Sequence, residues 1–111
     1  MSSPVPVILA RGDSWARTWI PLDEDRQPVS LAGANLRLHV RNSVDTKVLE
    51  ASDSDGKIVI GSAAEGATMS FSRIDLAPGT YFYDLEITFS SGVRLTVDSN
   101  TLIVTKDYSH D

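Results

Sequence analysis

The spacing of several carboxylate side chains in this chain could support metal binding. They cluster in two segments, Asp23-Glu24-Asp25 and Asp53-Ser54-Asp55. Carboxylate oxygens are the ligands that Ca²⁺ prefers, but a dedicated calcium loop runs for about twelve residues and ends in a glutamate. Neither segment continues in that way, so turn formation explains both better than metal binding. The histidines, His39 and His110, stand far apart, and the chain has no cysteine. The sequence therefore predicts no metal site and no cofactor.

Acid–base and nucleophilic catalysis have equally little support. Asp84 and Glu86 lie two positions apart, so on a strand they share one face, as any such pair does. The chain has many serines, but none occupies a Gly-x-Ser-x-Gly turn, and no histidine is placed to activate one. We predict no catalytic residues and expect that the protein is not an enzyme.

The segment from Trp15 to Trp19 could recognise another molecule. On a strand, Trp15, Arg17 and Trp19 share one face, and Ala16 and Thr18 share the other. We favour inward tryptophans that anchor a core, because Ala16 and Thr18 are too small to fill one. With the opposite orientation, Trp15, Arg17 and Trp19 form a candidate subunit interface, since Trp and Arg dominate such sites, or a platform for sugar stacking.

Composition places the chain among single-domain globular proteins. Its 111 residues are enough for one hydrophobic core, and the hydrophobic (41%) and charged (23%) fractions are those of a folded domain. The formal net charge of −5 would repel nucleic-acid phosphates and anionic membranes, so neither is an expected partner. The N-terminus lacks a signal-peptide pattern, and no apolar run approaches about 20 residues. We therefore expect a soluble protein made in a cytoplasm.

Alternating apolar and polar side chains predict strands along most of the chain. The alternation is cleanest from Ala34 to Arg41, where His39 lies on the polar face. Turn signals recur at intervals of about 8–12 residues, a spacing typical of an all-β sandwich or barrel. The run Asp98-Ser99-Asn100 is predicted to be the last turn. The predicted strands are Val5–Ala10, Ser14–Leu22, Ala34–Arg41, Lys47–Ala51, Lys57–Ile60, Met69–Phe71, Leu76–Ile87, Val93–Val97 and Thr101–Thr105.

The turn before the longest predicted strand carries a structural signature. Pro78 and Gly79 suit a tight turn, because Pro fixes φ and Gly tolerates positive φ. The spacing Asp75-x-Ala77-x-Gly79-x-Tyr81 resembles the turn that enters a late strand of immunoglobulin-like domains, where a tyrosine hydroxyl bonds to nearby backbone. We therefore assign Tyr81 to a structural corner. The cysteine pair of such domains is missing.

A second resemblance rests on the order of several motifs. Gly12-Asp13-Ser14-Trp15 opens a strand, Leu22-Asp23-Glu24-Asp25 forms an acidic turn, and Pro28 to Ala34 leads into the next strand. The pattern closes with Leu76-x-x-Gly79-x-Tyr81-x-Tyr83-Asp84-Leu85, a hairpin and a valine-rich strand. This order resembles a recurring pattern in tailed-phage virion proteins, including the immunoglobulin-like N-terminal modules of baseplate upper proteins and small tail or neck proteins.

The resemblance extends from about Ala10 to Thr105. Ser30 and Ala32 depart from it, since the family often has Asp and Thr there. Gly12 and Asp13 also complete an Arg-Gly-Asp tripeptide, which adhesion receptors read, but the virion pattern accounts for them better. The resemblance implies a structural role in a symmetric particle and implies no catalysis.

We therefore expect a single immunoglobulin-like antiparallel β-sandwich over residues 1–111, with its core at about 5–105 and a polar tail at 106–111. The resemblance implies a non-enzymatic structural component of a tailed-phage virion, in a tail, baseplate or fibre attachment. It would form a symmetric multimer with other virion proteins. Alternatives are a capsid decoration or head-fibre protein and a carbohydrate-binding host-attachment module.

Overall fold

Eight β-strands account for the regular structure of residues 5–106, the part of the chain that the computed structural model describes. His110 and most of the expected polar tail lie outside the described residues. The strands in chain order are β1 (Val7–Ala10), β2 (Trp15–Trp19), β3 (Asn35–Arg41), β4 (Lys47–Ser52), β5 (Ile58–Ile60), β6 (Ala67–Phe71), β7 (Gly79–Thr88) and β8 (Arg94–Thr105). No helix in this part of the chain is long and apolar enough to cross a membrane.

The strands form two sheets that pack as a sandwich. The large sheet has the order β1-β8-β7-β3-β4 and the small sheet the order β2-β6-β5. Every pairing is antiparallel except that of β1 with β8, which is parallel. The prediction of an all-β immunoglobulin-like sandwich is confirmed, since the large sheet extends the three-strand layer of such domains by one strand at each side.

The core lies between the two inner sheet faces. On β3 the side chains of Leu36, Leu38 and Val40 point inward and are at most 1% exposed, which confirms the alternation predicted for this strand. On β7 the odd-numbered residues from Tyr81 to Ile87 point inward in the same way. Because β3, β6 and β7 bury every second residue, the inner faces of the two sheets interdigitate as in other β-sandwiches.

The Tyr81 hydroxyl fixes the entry to β7. It donates a hydrogen bond of 2.6 Å to the carbonyl oxygen of Ala77, four residues upstream. In immunoglobulin domains this tyrosine lies two residues before a disulfide cysteine, a position that Tyr83 occupies in this chain. The Tyr83 ring packs edge-on against Trp15 of β2 at a centroid distance of 5.3 Å. An aromatic pair thus joins the two sheets where antibody domains have a disulfide.

Replacing Tyr81 with phenylalanine removes this corner bond and little else. We expect the free energy of unfolding to fall by about 1 kcal/mol, the net value of one hydrogen bond. Urea denaturation followed by circular dichroism measures the change. Thr80→Val, at an exposed neighbouring position, is the matched control. Equal stability of the Tyr81 and Thr80 variants would contradict a structural role for the hydroxyl.

The predicted turn at Asp98-Ser99-Asn100 is wrong. These residues lie inside β8, which runs without a break from Arg94 to Thr105. A register shift opposite Leu85 and Glu86 leaves Val97 without a cross-strand partner, which is the geometry of a β-bulge. Beyond the bulge, the Asp98 side chain faces the interior, where partners in other strands hold it.

Candidate functional site

The two tryptophans of β2 lie in the core. Trp15 is 5% and Trp19 is 9% exposed. This corrects the candidate interface of Trp15, Arg17 and Trp19, because the indole rings pack between the sheets and leave no aromatic surface for a partner or a sugar. Arg17 shares their strand face, but its side chain reaches the rim of the sandwich and is 41% exposed.

Asp98 of β8 links the large sheet to β2, the strand that carries both tryptophans. Its Oδ2 atom accepts hydrogen bonds from Trp19 Nε1 at 2.7 Å and from the Tyr83 hydroxyl at 3.3 Å. The same oxygen lies 3.1 Å from Arg17 Nε. The Arg17 guanidinium also sits over the Trp19 ring, 5.8 Å from its centroid. Asp98 therefore joins β8 of the large sheet to β2 of the small sheet, and sequence reasoning missed it.

The environment of Tyr83 favours a neutral phenol. Burial is the first cause that raises the pKa of its hydroxyl, and the negative charge of Asp98 is the second. A hydroxyl with a raised pKa remains a hydrogen-bond donor. It therefore serves the Asp98 cluster as a structural donor and not as a nucleophile.

On the side of the sandwich where Asp98 contacts Trp19, both sheets end in strand edges that have no neighbouring strand. In the large sheet, β1 pairs only with Leu102–Thr105 of β8, so the first half of β8 is an edge. In the small sheet, β2 is an edge strand. Exposed apolar side chains flank the Trp19–Asp98 contact on both strands, namely Ile20 and Leu22 after β2 and Val93, Leu95 and Val97 before Asp98. We call these two edges and their flanking residues the open side.

Hydrogen-bond alternation identifies the backbone groups that the β2 edge presents. Ser70 of β6 donates its amide to the Lys57 carbonyl at 2.9 Å, so the even-numbered residues of β6 bond toward β5. In antiparallel sheets consecutive residues bond to opposite neighbours, and the odd-numbered residues of β6 therefore bond to β2. By the same alternation, the amides and carbonyls of Ala16 and Thr18 point away from the sheet. Both residues are exposed.

The β1 edge is blocked by its own sequence. Pro6 has no amide, as predicted for an edge strand. Asp13 engages both backbone groups of Ala10: its Oδ2 accepts the Ala10 amide at 3.0 Å, and its own amide donates to the Ala10 carbonyl at 3.0 Å. Arg11 pairs with Asp75 at 3.0 Å. The Arg-Gly-Asp tripeptide is thus a turn whose charged side chains are already bonded within the domain.

The remaining edges carry other protective features. On β4, Lys47 and Glu50 place charges along the edge, and the Ser52 amide donates to Asp55 Oδ1 at 3.1 Å. β5 has three residues, and the open half of β8 is interrupted by the bulge at Val97. Charges, bulges and short length are the usual means of blocking edge strands. Within the described residues, the β2 edge has one such feature, the inward charge of Arg17, and Asp98 compensates that charge at 3.1 Å.

The outer face of the large sheet carries an ion-pair network centred on His39. Its Nε2 bonds to Glu50 Oε2 at 2.9 Å, and its Nδ1 lies 3.3 Å from Arg41 Nη2. Because a guanidinium can only donate, Nδ1 accepts and Nε2 carries the proton. The hydrogen bond from His39 and then that from Lys47 hold the pKa of Glu50 below its usual range.

Replacing His39 with alanine should raise the pKa of Glu50 toward its ordinary value. The expected shift is upward because the largest stabilising contact of the carboxylate is lost. A ¹³C NMR titration of the side-chain carboxyl groups measures the shift for each residue. Lys47→Ala, which removes the second hydrogen bond, should also raise the pKa of Glu50. An unchanged Glu50 titration in the His39 variant would contradict the network.

The other carboxylates of the sequence analysis bond to backbone amides or to arginines within the domain. Asp23 Oδ1 accepts the amides of Asp25 and Gln27 at 2.8 and 3.0 Å. Asp53 Oδ1 accepts the Leu36 amide at 2.9 Å. Asp84 and Glu86 share the outer face of β7 and pair with arginines. Among residues 5–106, no three of these groups come together as metal ligands would.

These features define an immunoglobulin-like β-sandwich that has an open side and an aromatic pair in place of the disulfide. No protein-family model matches the chain, and no curated protein matches it in sequence. Among solved structures, CopC from Methylosinus trichosporium OB3b is similar, with a TM-score of 0.55 and 14% identity over 97% of this chain and 91% of that chain. At this identity the similarity establishes the fold alone.

A second solved structure, extracellular domains 3–5 of Drosophila OTK, is 18% identical with a TM-score of 0.47. The match covers 91% of this chain and 33% of that chain.

Proposed function

We propose that the chain is a non-enzymatic structural component of a tailed-phage virion, located in a tail, a baseplate or a fibre attachment. It works through protein–protein contacts with other virion proteins and with copies of itself. The observation that carries the proposal is the open side, where an unblocked β2 edge lies beside exposed apolar side chains. Strand edges and apolar patches of this kind are the surfaces that assembling proteins use.

The sequence pattern of phage virion proteins supports the same role. Asp13 of the Gly-Asp pair blocks the β1 edge, and Asp23 of the acidic turn accepts two backbone amides. Tyr81 of the late motif holds the corner before β7. The motif residues therefore stabilise the domain itself. The assembly contacts are assigned to the open side, which these residues do not cover.

The proposal is tested on particles of the phage that encodes the chain. Purified virions are analysed by quantitative mass spectrometry against the tail-tube and major capsid proteins. We expect the chain at a fixed copy number that is a multiple of the tail's rotational symmetry. A copy number that follows the capsid protein would instead support the decoration or head-fibre alternative. Absence of the chain from washed particles would contradict a structural role.

The carbohydrate-binding alternative now rests on a different residue. Phe82 is an exposed aromatic on the outer face of β7, and it borders a shallow cleft of about 260 Å³ that Arg41, Asn42 and Asp84 also line. An aromatic ring beside polar groups is one arrangement that binds small polar ligands. A glycan array compares the wild-type chain with Phe82→Ala. Glycan binding that this variant loses would favour host attachment.

A further inference from the structure

We propose that the β2 edge pairs with the β2 edge of a second copy of this chain, antiparallel, across a two-fold axis at Thr18. The two small sheets would then form one continuous sheet. This inference deepens the proposed assembly function, on which it rests, by naming the partner and the register.

The free backbone groups of β2 are complementary to themselves. Ala16 and Thr18 each present an amide and a carbonyl on the free edge, and Ile20 follows directly after the end of β2. Around a two-fold axis at Thr18, that residue faces its own copy, and Ala16 faces Ile20 of the second copy. All of these are hydrogen-bonded antiparallel pairs. A symmetric interface requires this property, because the same surface must complement itself.

The charge distribution favours a second copy at this edge. Each chain has a net charge of −5, so two copies repel each other over most of their surface. The outer face of the small sheet beside the edge carries uncharged side chains instead: Ala16 and Thr18 on β2, and Thr68 and Ser70 on β6. Thr18 and Thr68 are already bonded through their hydroxyls at 2.9 Å. Two copies can therefore pair through the β2 edge without placing like charges together on this outer face.

Arg17 determines the register. An inward charge on an edge strand normally opposes pairing, but Asp98 already compensates this one at 3.1 Å. A two-fold axis at Arg17 would place the two guanidinium groups directly opposite each other, which is destabilising. An axis at Thr18 places Arg17 opposite Trp19 of the second copy and brings two threonines together, a favourable cross-strand pair. It also covers the exposed Ile20 side chain with Ala16 of the second copy.

The predicted dimer is weak in solution. One pair of short edge strands buries less than the roughly 1,200–2,000 Å² of a standard stable interface. We therefore expect a concentration-dependent dimer of the free chain, which repetition and further contacts would stabilise in a particle.

Single-cysteine variants test the register, because the chain has no cysteine of its own. Residues in a hydrogen-bonded antiparallel pair have Cα atoms about 5.5 Å apart, within the range of about 4.4–6.8 Å that a disulfide spans. Thr18→Cys should form a disulfide-linked dimer on mild oxidation. Ala16→Cys should not, because four residues of strand separate the two Ala16 positions by about 14 Å. Non-reducing electrophoresis measures the linked fraction, and circular dichroism checks the fold.

A lysine pair separates edge pairing from packing of the sheet faces. Thr18→Lys places a charge at the two-fold axis, whereas Thr68→Lys places it on the same face one strand inward. Sedimentation equilibrium of a concentration series should show that the Thr18 variant loses the dimer and the Thr68 variant keeps it.

Dimer loss in both lysine variants would overturn edge pairing, because it would indicate face packing. A disulfide through Ala16 but not Thr18, or a wild-type monomer with no Thr18 disulfide at any concentration, would also overturn the proposal. These outcomes are independent of the particle analysis. A chain that is present in virions but does not link through Thr18 retains the proposed function and loses the partner assigned here.

Discussion

Replacing Trp15 with alanine is expected to lower the free energy of unfolding by about 3–5 kcal/mol, the usual cost of removing a large buried aromatic. The ring is buried, stacks on Phe71 at 6.0 Å and meets Tyr83 edge-on at 5.3 Å. It therefore joins the two sheets at the position where related folds have a covalent bond. Small domains are stable by about 5–15 kcal/mol, so this loss would bring the chain close to unfolding.

Urea denaturation, followed by the fluorescence of the remaining Trp19, measures the effect. Trp15→Phe retains an aromatic ring and should cost less than the alanine variant. Ile20→Ala, at an exposed position beyond the same strand, is the control and should stay within about 0.5 kcal/mol of the wild type. An alanine variant at Trp15 that loses less than about 1 kcal/mol would show that the sheets do not depend on this ring.

Replacing Asp98 with alanine is expected to cost about 2–4 kcal/mol, because it leaves the Trp19 indole and the Tyr83 hydroxyl without their acceptor. The Asp98 side chain is 17% exposed, so water cannot fully replace it. Arg17 contributes less to this loss, since its half-exposed guanidinium remains hydrated.

The Asp98→Asn variant separates charge from hydrogen bonding. It keeps one acceptor oxygen and removes the negative charge. We therefore expect its free energy of unfolding to lie between that of the wild type and that of the alanine variant. Ser99→Ala, at the next and exposed position of β8, is the control. The ¹H shift of the Trp19 indole N–H reports the bond directly and should move in both Asp98 variants. Equal stability of the Asp98 and Ser99 alanine variants would contradict the role of Asp98 in joining the sheets.

The strands could be predicted because their signal is local. Burial of every second residue leaves a period of two in β3 and β7. The predicted tight turn at Pro78 and Gly79 is wrong, because Gly79 is the first residue of β7 and does not have a positive φ. The small size of Ala16 and Thr18 favours an inward orientation of the β2 tryptophans. The contacts that fix this orientation are with Phe71 and Tyr83, which are far away in the sequence.

The error at Asp98 has a clear physical cause. Without tertiary contacts, Asp, Ser and Asn favour turns. In the folded domain, hydrogen bonds from Trp19 and Tyr83 keep Asp98 in a strand. A signal in the sequence could have identified the bulge. Before the bulge the apolar residues of β8 are the odd-numbered Leu95 and Val97, whereas after it the buried apolar residues are the even-numbered Leu102 and Val104. One extra residue in a strand causes such a change of phase, whereas a turn does not require it.

The open side could not be predicted from the sequence. Which strand lies at an edge depends on the order of strands in the sheets, and that order is set by long-range pairing. The features that block the other edges are visible as residue types, such as Pro6 and Lys47. Their function becomes clear only when the neighbouring strand is known.

Residue-resolved amide hydrogen exchange is the measurement that tests the central claim most directly. In dilute wild-type protein, the amides of Ala16 and Thr18 should exchange fast and that of Arg17 slowly, because, of these three residues, only Arg17 bonds to β6. At concentrations where the sedimentation mass rises, Ala16 and Thr18 should become protected. The account would be contradicted if the mass rises while these two amides still exchange fast and new protection develops on β1 or β4.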